Sequence, residues 1–233
     1  MKKSILFFVL AVGATLLQAQ SITVHQTCGQ NGQVLVIETN GHECVDLGLP
    51  SGTLWATCNV GATTPEGYGD YFAWGETAAK ATYDWSTYFD TNDGGSTFTK
   101  YNNNAGKTVL DPEDDAAHVN WGGSWRMPTK AEWWELFDNC TWTRTTQNGI
   151  NGYKVTSNKA GYTDKFIFLP AAGYRYDGGL SGVGSDGDYW SSSLVEYCSY
   201  LAWYFYFYFY SGSHRLNDFG YRYYGQSVRP VLP

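Results

Sequence analysis

Residues 202–210 read Ala-Trp-Tyr-Phe-Tyr-Phe-Tyr-Phe-Tyr, an alternation of two kinds of ring with a period of two. A pleated strand sends successive side chains to opposite faces, so Trp203, Phe205, Phe207 and Phe209 should share one side and Tyr204, Tyr206, Tyr208 and Tyr210 the other. A phenyl ring loses nothing on burial, whereas a phenol needs a partner for its hydroxyl. The Phe face is therefore predicted to meet the core, and the Tyr face to meet water or a ligand. After it, Ser211-Gly212-Ser213 reads as a turn and residues 214–224 as an irregular polar and aromatic run. Tyrosine gives large amphipathic contact area at low entropic cost, which makes such a wall a natural binding surface. The alternative is a sheet face covered by another layer of the same domain.

A chain of 233 residues suffices for one domain with a small appendage. Aromatics at 18%, 27 glycines and only 16% charged residues predict a β-rich, loop-rich fold with few helices. A formal charge of -7 argues against a nucleic-acid partner. Lys2 and Lys3, the apolar run 5–17 and Gln18-Ala19-Gln20 read as an export signal over residues 1–19, too short in its apolar part to span a bilayer. The expected location is therefore the periplasm, the cell surface or the medium, with no membrane-spanning segment. Export permits disulfides, and five cysteines leave one unpaired. We expect Cys28 with Cys44 and Cys58 with Cys140, the alternative being small buried thiols.

Along the chain, Ile22-Thr23-Val24 and Val34-Leu35-Val36-Ile37 flank Gly29-Gln30-Asn31-Gly32 and predict a hairpin, taken as an N-terminal appendage over 20–43. Thr53 to Cys58 reads as a buried strand, and residues 78–109 as a long surface excursion. Asp111-Pro112-Glu113-Asp114-Asp115 has the acids of a calcium site but no recognised loop spacing. Proline and acids also open helices, which is the preferred reading. Thr129 with Glu132 forms a capping box, and Trp133, Leu136 and Phe137 fall on one side of the helix that follows, ending near Asn139. Strands are expected at 152–156 and 164–169, a Gly-rich turn region over 172–187, and a further segment from Tyr189. One good helix among many short strands makes an α+β domain.

Several of these segments resemble the Fibrobacter succinogenes major paralogous domain, abundant in secreted proteins of Bacteroidetes-type bacteria. They are Val45-Asp46-Leu47-Gly48-Leu49-Pro50-Ser51-Gly52, Trp55-Ala56-Thr57-Cys58-Asn59-Val60-Gly61-Ala62, Gly69-Asp70-Tyr71-Phe72-Ala73-Trp74-Gly75-Glu76, Leu169-Pro170-Ala171-Ala172-Gly173 and Val228-Arg229-Pro230-Val231. The resemblance covers residues 44–233. Gly122-Gly123-Ser124-Trp125-Arg126-Met127-Pro128-Thr129 with Glu132-Trp133 is also similar to segments of the formylglycine-generating enzyme superfamily. That likeness implies a C-type-lectin-like fold: a twisted, mostly antiparallel sheet, one main helix, long loops and paired domain ends. The copper-binding cysteine pair of those enzymes has only Cys198 in the corresponding part, so their catalysis is not expected. The same fold carries variable proteins of diversity-generating retroelements, in which adenine-directed changes from Asn codons cannot reach Lys, Glu, Gln, Met or Trp. Across residues 197–225 the first four are absent and Trp203 is the one exception. An aromatic sheet with Gly and Ser turns has little room for them in any case.

The function expected is an exported, non-enzymatic binding module. Tyr197, Tyr200, Tyr204, Tyr206, Tyr208, Tyr210, His214, Asn217, Tyr221 and Tyr223 would form the contact surface. Its ligand would be a protein on another cell or phage, or a glycan. No metal or cofactor is expected. Two alternatives compete: a glycan-active enzyme using Asp186, Asp188 or Glu196, and a structural subunit of a surface assembly. Asp186-Gly187-Asp188 reads as a turn before it reads as an active site.

Overall fold

The structure is a computed structural model that describes residues 22–29, 32–91, 93–102, 106–211 and 213–233; the side chains of 22–36 and 213–217 lie outside the description, as does the proposed export segment. Antiparallel sheets dominate and helices are few, giving an α+β, mostly β fold. Among the described residues no helix is long and apolar enough to cross a membrane.

Among the described residues the strands fall into four sheets rather than the single twisted one expected. In the first, β1 (Ile22–Gly29), β2 (Gly32–Thr39), β3 (His42–Val45), β4 (Leu54–Ala56) and β13 (Val231–Leu232) lie side by side. The hairpin foreseen at the N-terminus is β1 with β2, and β2 continues by pairing with β3. Asn40-Gly41 makes that turn with both residues at positive φ, and Asn148-Gly149 makes another, as tight hairpins require. Trp125 Nε1 donates to Thr39 O at 3.1 Å, tying the hairpin's end to the rest of the molecule. Val231 pairs with Trp55 and Leu232 with Leu54, which sets the C-terminal strand beside β4.

β5 (Cys140–Gln147), β6 (Ile150–Ser157) and β7 (Phe166–Pro170) form a second sheet, and β8 (Tyr174–Tyr176) with β9 (Gly179–Ser181) a two-stranded ribbon. The aromatic strand is β11 (Leu201–Tyr208), central between β10 (Asp186–Leu194) and β12 (Ser213–Tyr221). Asp186-Gly187-Asp188 is thus a strand start and not the turn it reads as. Gly187 lies opposite Phe207, and a Cβ there would stand 2.1 Å from the Phe207 ring. The missing side chain makes room for the ring, which a turn-based reading of glycine overlooks.

The capping box is present: Thr129 Oγ1 accepts from the Glu132 amide and Glu132 reaches back to the Thr129 amide, opening α2 (Lys130–Asn139). Removing such a cap costs about 1 kcal/mol. Arg126 grips the same carboxylate with both terminal nitrogens, at 2.8 and 2.5 Å. α2 packs on the Phe face of β11, with Trp133 stacked on Phe205 at 5.0 Å and edge-on to Trp55 at 4.7 Å. The acidic cluster opens a short 3-10 turn, Pro112–Asp114, followed by α1 (Ala116–Trp121). Lys100 and Lys107 reach into that cluster, with Lys100 Nζ 2.9 Å from Glu113 and 2.5 Å from Asp114.

Two further expectations fail. Cys44 and Cys140 are buried free thiols, pushed up to about 12 by burial, and Cys58 is also free, so neither disulfide forms. Cys44 Sγ donates instead to Ile37 O at 3.5 Å. Among its described residues the 78–109 excursion has no helix or strand, but it is not a surface loop, because Tyr83, Tyr88, Phe98 and Tyr101 are buried in it. Its tyrosines go inside because each hydroxyl finds a partner: Tyr83 donates to Tyr71 O at 2.6 Å and Tyr88 to Trp74 O at 2.5 Å.

Candidate functional site

The alternation in β11 divides as its chemistry demands. Trp203, Phe205 and Phe207 are buried, while Tyr204, Tyr206 and Tyr208 are half-buried and Tyr210 is 62% exposed. The Tyr face is graded rather than uniformly wet. Tyr204 departs from the expected contact role, since it packs on the core and sits edge-on to Trp190 at 5.9 Å, with Gly220 close against its ring. Burial drives its phenol well above the usual range, and the nearby Asp188 and Asp218 charges add to this. Tyr206 donates to Asp186 Oδ1 at 3.3 Å. At the far end Tyr208 and Tyr210 meet edge to face at 5.9 Å, and Arg144 donates to the carbonyls of Phe209 and Tyr210 at 3.0 and 2.7 Å.

The ten expected contact residues therefore do not form one surface. Tyr208 and Tyr210 occupy the tip of the β11–β12 hairpin. Tyr197, 66% exposed, stands edge-on to Trp203 at 6.4 Å, beside Glu196, which accepts from Trp203 Nε1 at 3.2 Å. His214 and Asn217 have side chains outside the described residues. Tyr200, Tyr221 and Tyr223 come together at the opposite end of the sheet. Tyr200 stacks on Tyr221 at 6.0 Å, and Tyr221 on Tyr223 at 5.4 Å with planes 13° apart.

Residues that sequence reasoning missed complete this last group. Trp85 stands against Tyr223 at 4.6 Å and Tyr221 at 6.1 Å, and Tyr176 meets Tyr223 at 6.1 Å and Tyr224 at 5.6 Å. Of these, Trp85, Tyr176 and Tyr223 line an open depression of about 740 Å³, with Asp84, Ser86, Thr91 and Asp177 around it, and Tyr200 and Tyr221 stand beside it. Tyr223, expected to be displayed, is instead 7% exposed and forms part of the floor. The signal available in sequence was Tyr83-Asp84-Trp85-Ser86-Thr87-Tyr88, whose aromatic spacing is easily lost among its polar neighbours.

What fixes the depression is a buried cation between the two tyrosines. Arg222 has no exposed surface, and its Nη2 lies 2.8 Å from Asp90 Oδ2. Its Nε donates to Tyr88 Oη at 2.8 Å, and its Nη1 to the carbonyls of Tyr101 and Ser199, both at 2.9 Å. Asp90, itself buried, also accepts from the Thr99 hydroxyl and from the amides of Thr99, Lys100 and Tyr101. Burial raises the Asp90 pKa, but these donors and Arg222 outweigh it and hold the carboxyl below its ordinary value. One guanidinium thus joins the Trp85 segment, the 197–200 turn and the end of β12. From the other side, Asp177 at φ 50 exchanges backbone hydrogen bonds with Tyr83 at 2.8 and 3.0 Å, and Arg175 does so with Gly225.

Asp186 and Asp188, the enzyme candidates, lie on β10 facing the half-buried tyrosines. Burial, reinforced by the Asp186 and Asp218 charges, drives the Asp188 carboxyl well above the usual range, and its Oδ2 has no hydrogen-bond partner. Neither residue, nor Glu196, lines the depression. A second groove of about 310 Å³, mostly apolar, runs along Phe166, Ile167 and Phe168 and includes none of the expected contact residues.

Comparison of the chain with protein-family models, with curated proteins and with solved structures gives no match.

Proposed function

We propose that this chain is an exported, non-enzymatic ligand-binding module of C-type-lectin-like fold, and that its contact surface is the aromatic rim of Tyr200, Tyr221 and Tyr223 with Trp85 and Tyr176. One observation carries the reading: Tyr221 and Tyr223 project on either side of Arg222, whose guanidinium is sealed in the core on four hydrogen-bonding groups. Large rings held on an immobile base lose little freedom on binding, the condition under which aromatic contact area yields affinity. Exposure of 43% at Tyr200, 40% at Tyr221 and 46% at Tyr176 leaves area to offer a partner. The fold assignment draws support from the paired β4 and β13, from α2 as the one helix of ten residues among the described residues, and from the long loops. The ligand is borne by another cell, by a phage or by a glycan coat, in keeping with export.

The test is binding of fluorescently labelled protein to a panel of bacterial cells and soluble polysaccharides, compared with Tyr200→Ala/Tyr221→Ala. Both side chains are partly exposed, so the double variant should keep its circular dichroism and unfolding midpoint while losing at least tenfold in binding. Unchanged binding refutes the reading. A homo-oligomer that dissociates in the double variant assigns the rim to assembly instead. Release of reducing ends from a polysaccharide, abolished by Asp186→Asn or Glu196→Gln, assigns the chain to the enzymes.

A further inference from the structure

We infer that the depression between Trp85, Tyr176 and Tyr223 is a binding site for a neutral polysaccharide chain. The inference rests on the ligand-capture reading above and names the ligand class for one part of that surface.

The rings meet at steep angles: Trp85 stands edge-on to Tyr223 with centroids 4.6 Å and planes 67° apart, and Tyr176 is tilted 43° to Tyr223 at 6.1 Å. One face of the Trp85 indole is already covered by Gly95, whose added Cβ would fall 2.6 Å from the ring. What remains is a stepped aromatic surface of Trp85 and Tyr176 over the nearly buried Tyr223, which suits a weakly apolar ligand surface. The C–H groups on one face of a pyranose ring fit this description, because their slight positive charge meets the negative face of an aromatic ring.

Around this surface stand groups that pair with hydroxyls. Asp177 is exposed, and its backbone is pinned by two hydrogen bonds to Tyr83. Asp84 receives the Ser86 hydroxyl on Oδ1 at 2.7 Å and the Thr87 amide at 3.0 Å, and these bonds lower its pKa. The Asp84 carboxylate is therefore an acceptor held in place, and Asp177 offers a second carboxyl on a fixed backbone for the donors of sugar hydroxyls. Among the described residues no Lys or Arg lines the depression. With a chain of net charge -7, this disfavours uronic acids, sialic acids and phosphorylated sugars. A volume of about 740 Å³ lies within the range of small-molecule sites, and its opening to solvent admits the interior of a polymer as well as its end.

The experiment is native affinity electrophoresis of the full chain in gels cast with hydroxyethylcellulose, galactomannan, laminarin or yeast mannan, with polygalacturonate as the charged comparator. Tyr176→Ala and Asp177→Asn are the variants, both at exposed positions, so loss of fold does not cloud the outcome. At least one neutral polysaccharide should retard the protein, each variant should raise its apparent Kd at least tenfold, and polygalacturonate should have no effect. Retardation by none of the four, retardation untouched by both variants, preference for polygalacturonate, or displacement by tetramethylammonium chloride overturns the inference. Cell binding that is lost in Tyr200→Ala/Tyr221→Ala, without polysaccharide retardation, removes the glycan and leaves ligand capture standing. Loss of neither cell binding nor retardation in any variant removes both.

Discussion

Replacing Arg222 with Met tests whether the aromatic rim is built on the buried ion pair. The substitution fills most of the volume of the aliphatic stem but removes four donor contacts: to Asp90, Tyr88 and the carbonyls of Tyr101 and Ser199. Asp90 keeps the Thr99 hydroxyl and three amides, so its charge is not stranded without partners, yet it stays buried without a counter-ion. Breaking a buried pair from one side costs about 3–5 kcal/mol. For a domain of this size that is roughly 6–20 °C in Tm, out of a total stability of about 5–15 kcal/mol. Equilibrium urea unfolding followed by tryptophan fluorescence measures it. Arg222→Met/Asp90→Asn removes the charge as well, and should cost about 2 kcal/mol less than the sum of the singles. Added 1 M NaCl should barely change the wild-type midpoint through this pair, since no solvent reaches it. A loss below about 1 kcal/mol in Arg222→Met, or additivity in the double variant, refutes the claim that this pair holds the Trp85 segment to β12.

Two further outcomes follow from the polar groups inside. Asp188 has a folded pKa raised by burial first and by Asp186 and Asp218 next, so the native state holds its proton more tightly than the unfolded chain. Its contribution to stability is full below the unfolded value of about 3.9 and is lost as pH rises through the folded one. Asp188→Asn should therefore raise the urea midpoint at pH 8 and leave it nearly unchanged at pH 4; equal shifts at both pH values would disprove the assignment. Cys44 and Cys140, with thiols pushed up to about 12, should resist a disulfide reagent at pH 8 until the protein unfolds, and rapid native labelling of either would contradict their burial.

The β11 alternation and the α2 capping box were legible because each depends on local geometry alone: a period of two for one, a three-residue spacing for the other. The site was only half legible. Tyr200, Tyr221 and Tyr223 could be named from their setting, but Trp85, Asp84 and Tyr176 come from segments far away in sequence, brought in by Arg222 and by the Asp177–Tyr83 bridge. No periodicity announces a contact of that kind. Residues 78–109 misled for a related reason: buried tyrosines and an aspartate count as polar in a composition, although every hydroxyl and carboxylate oxygen involved is satisfied inside. Gly187 misled because glycine was weighed as a bender of backbone and not as space for Phe207. The cysteine pairing failed because redox compartment says only that a bond is permitted, not that two sulfurs are neighbours.

The position of Arg222 separates two kinds of letter in the C-terminal stretch. Trp203, Phe205, Phe207 and Arg222 are spent on holding the molecule together, whereas Tyr197, Tyr200, Tyr210 and Tyr221 stand largely clear of it. A lineage can rewrite the second set, one residue at a time, without renegotiating the first. Neighbouring positions along the same few strands thus evolve under different rules, and a randomised library confined to the outward set would sample new specificities on an unaltered frame.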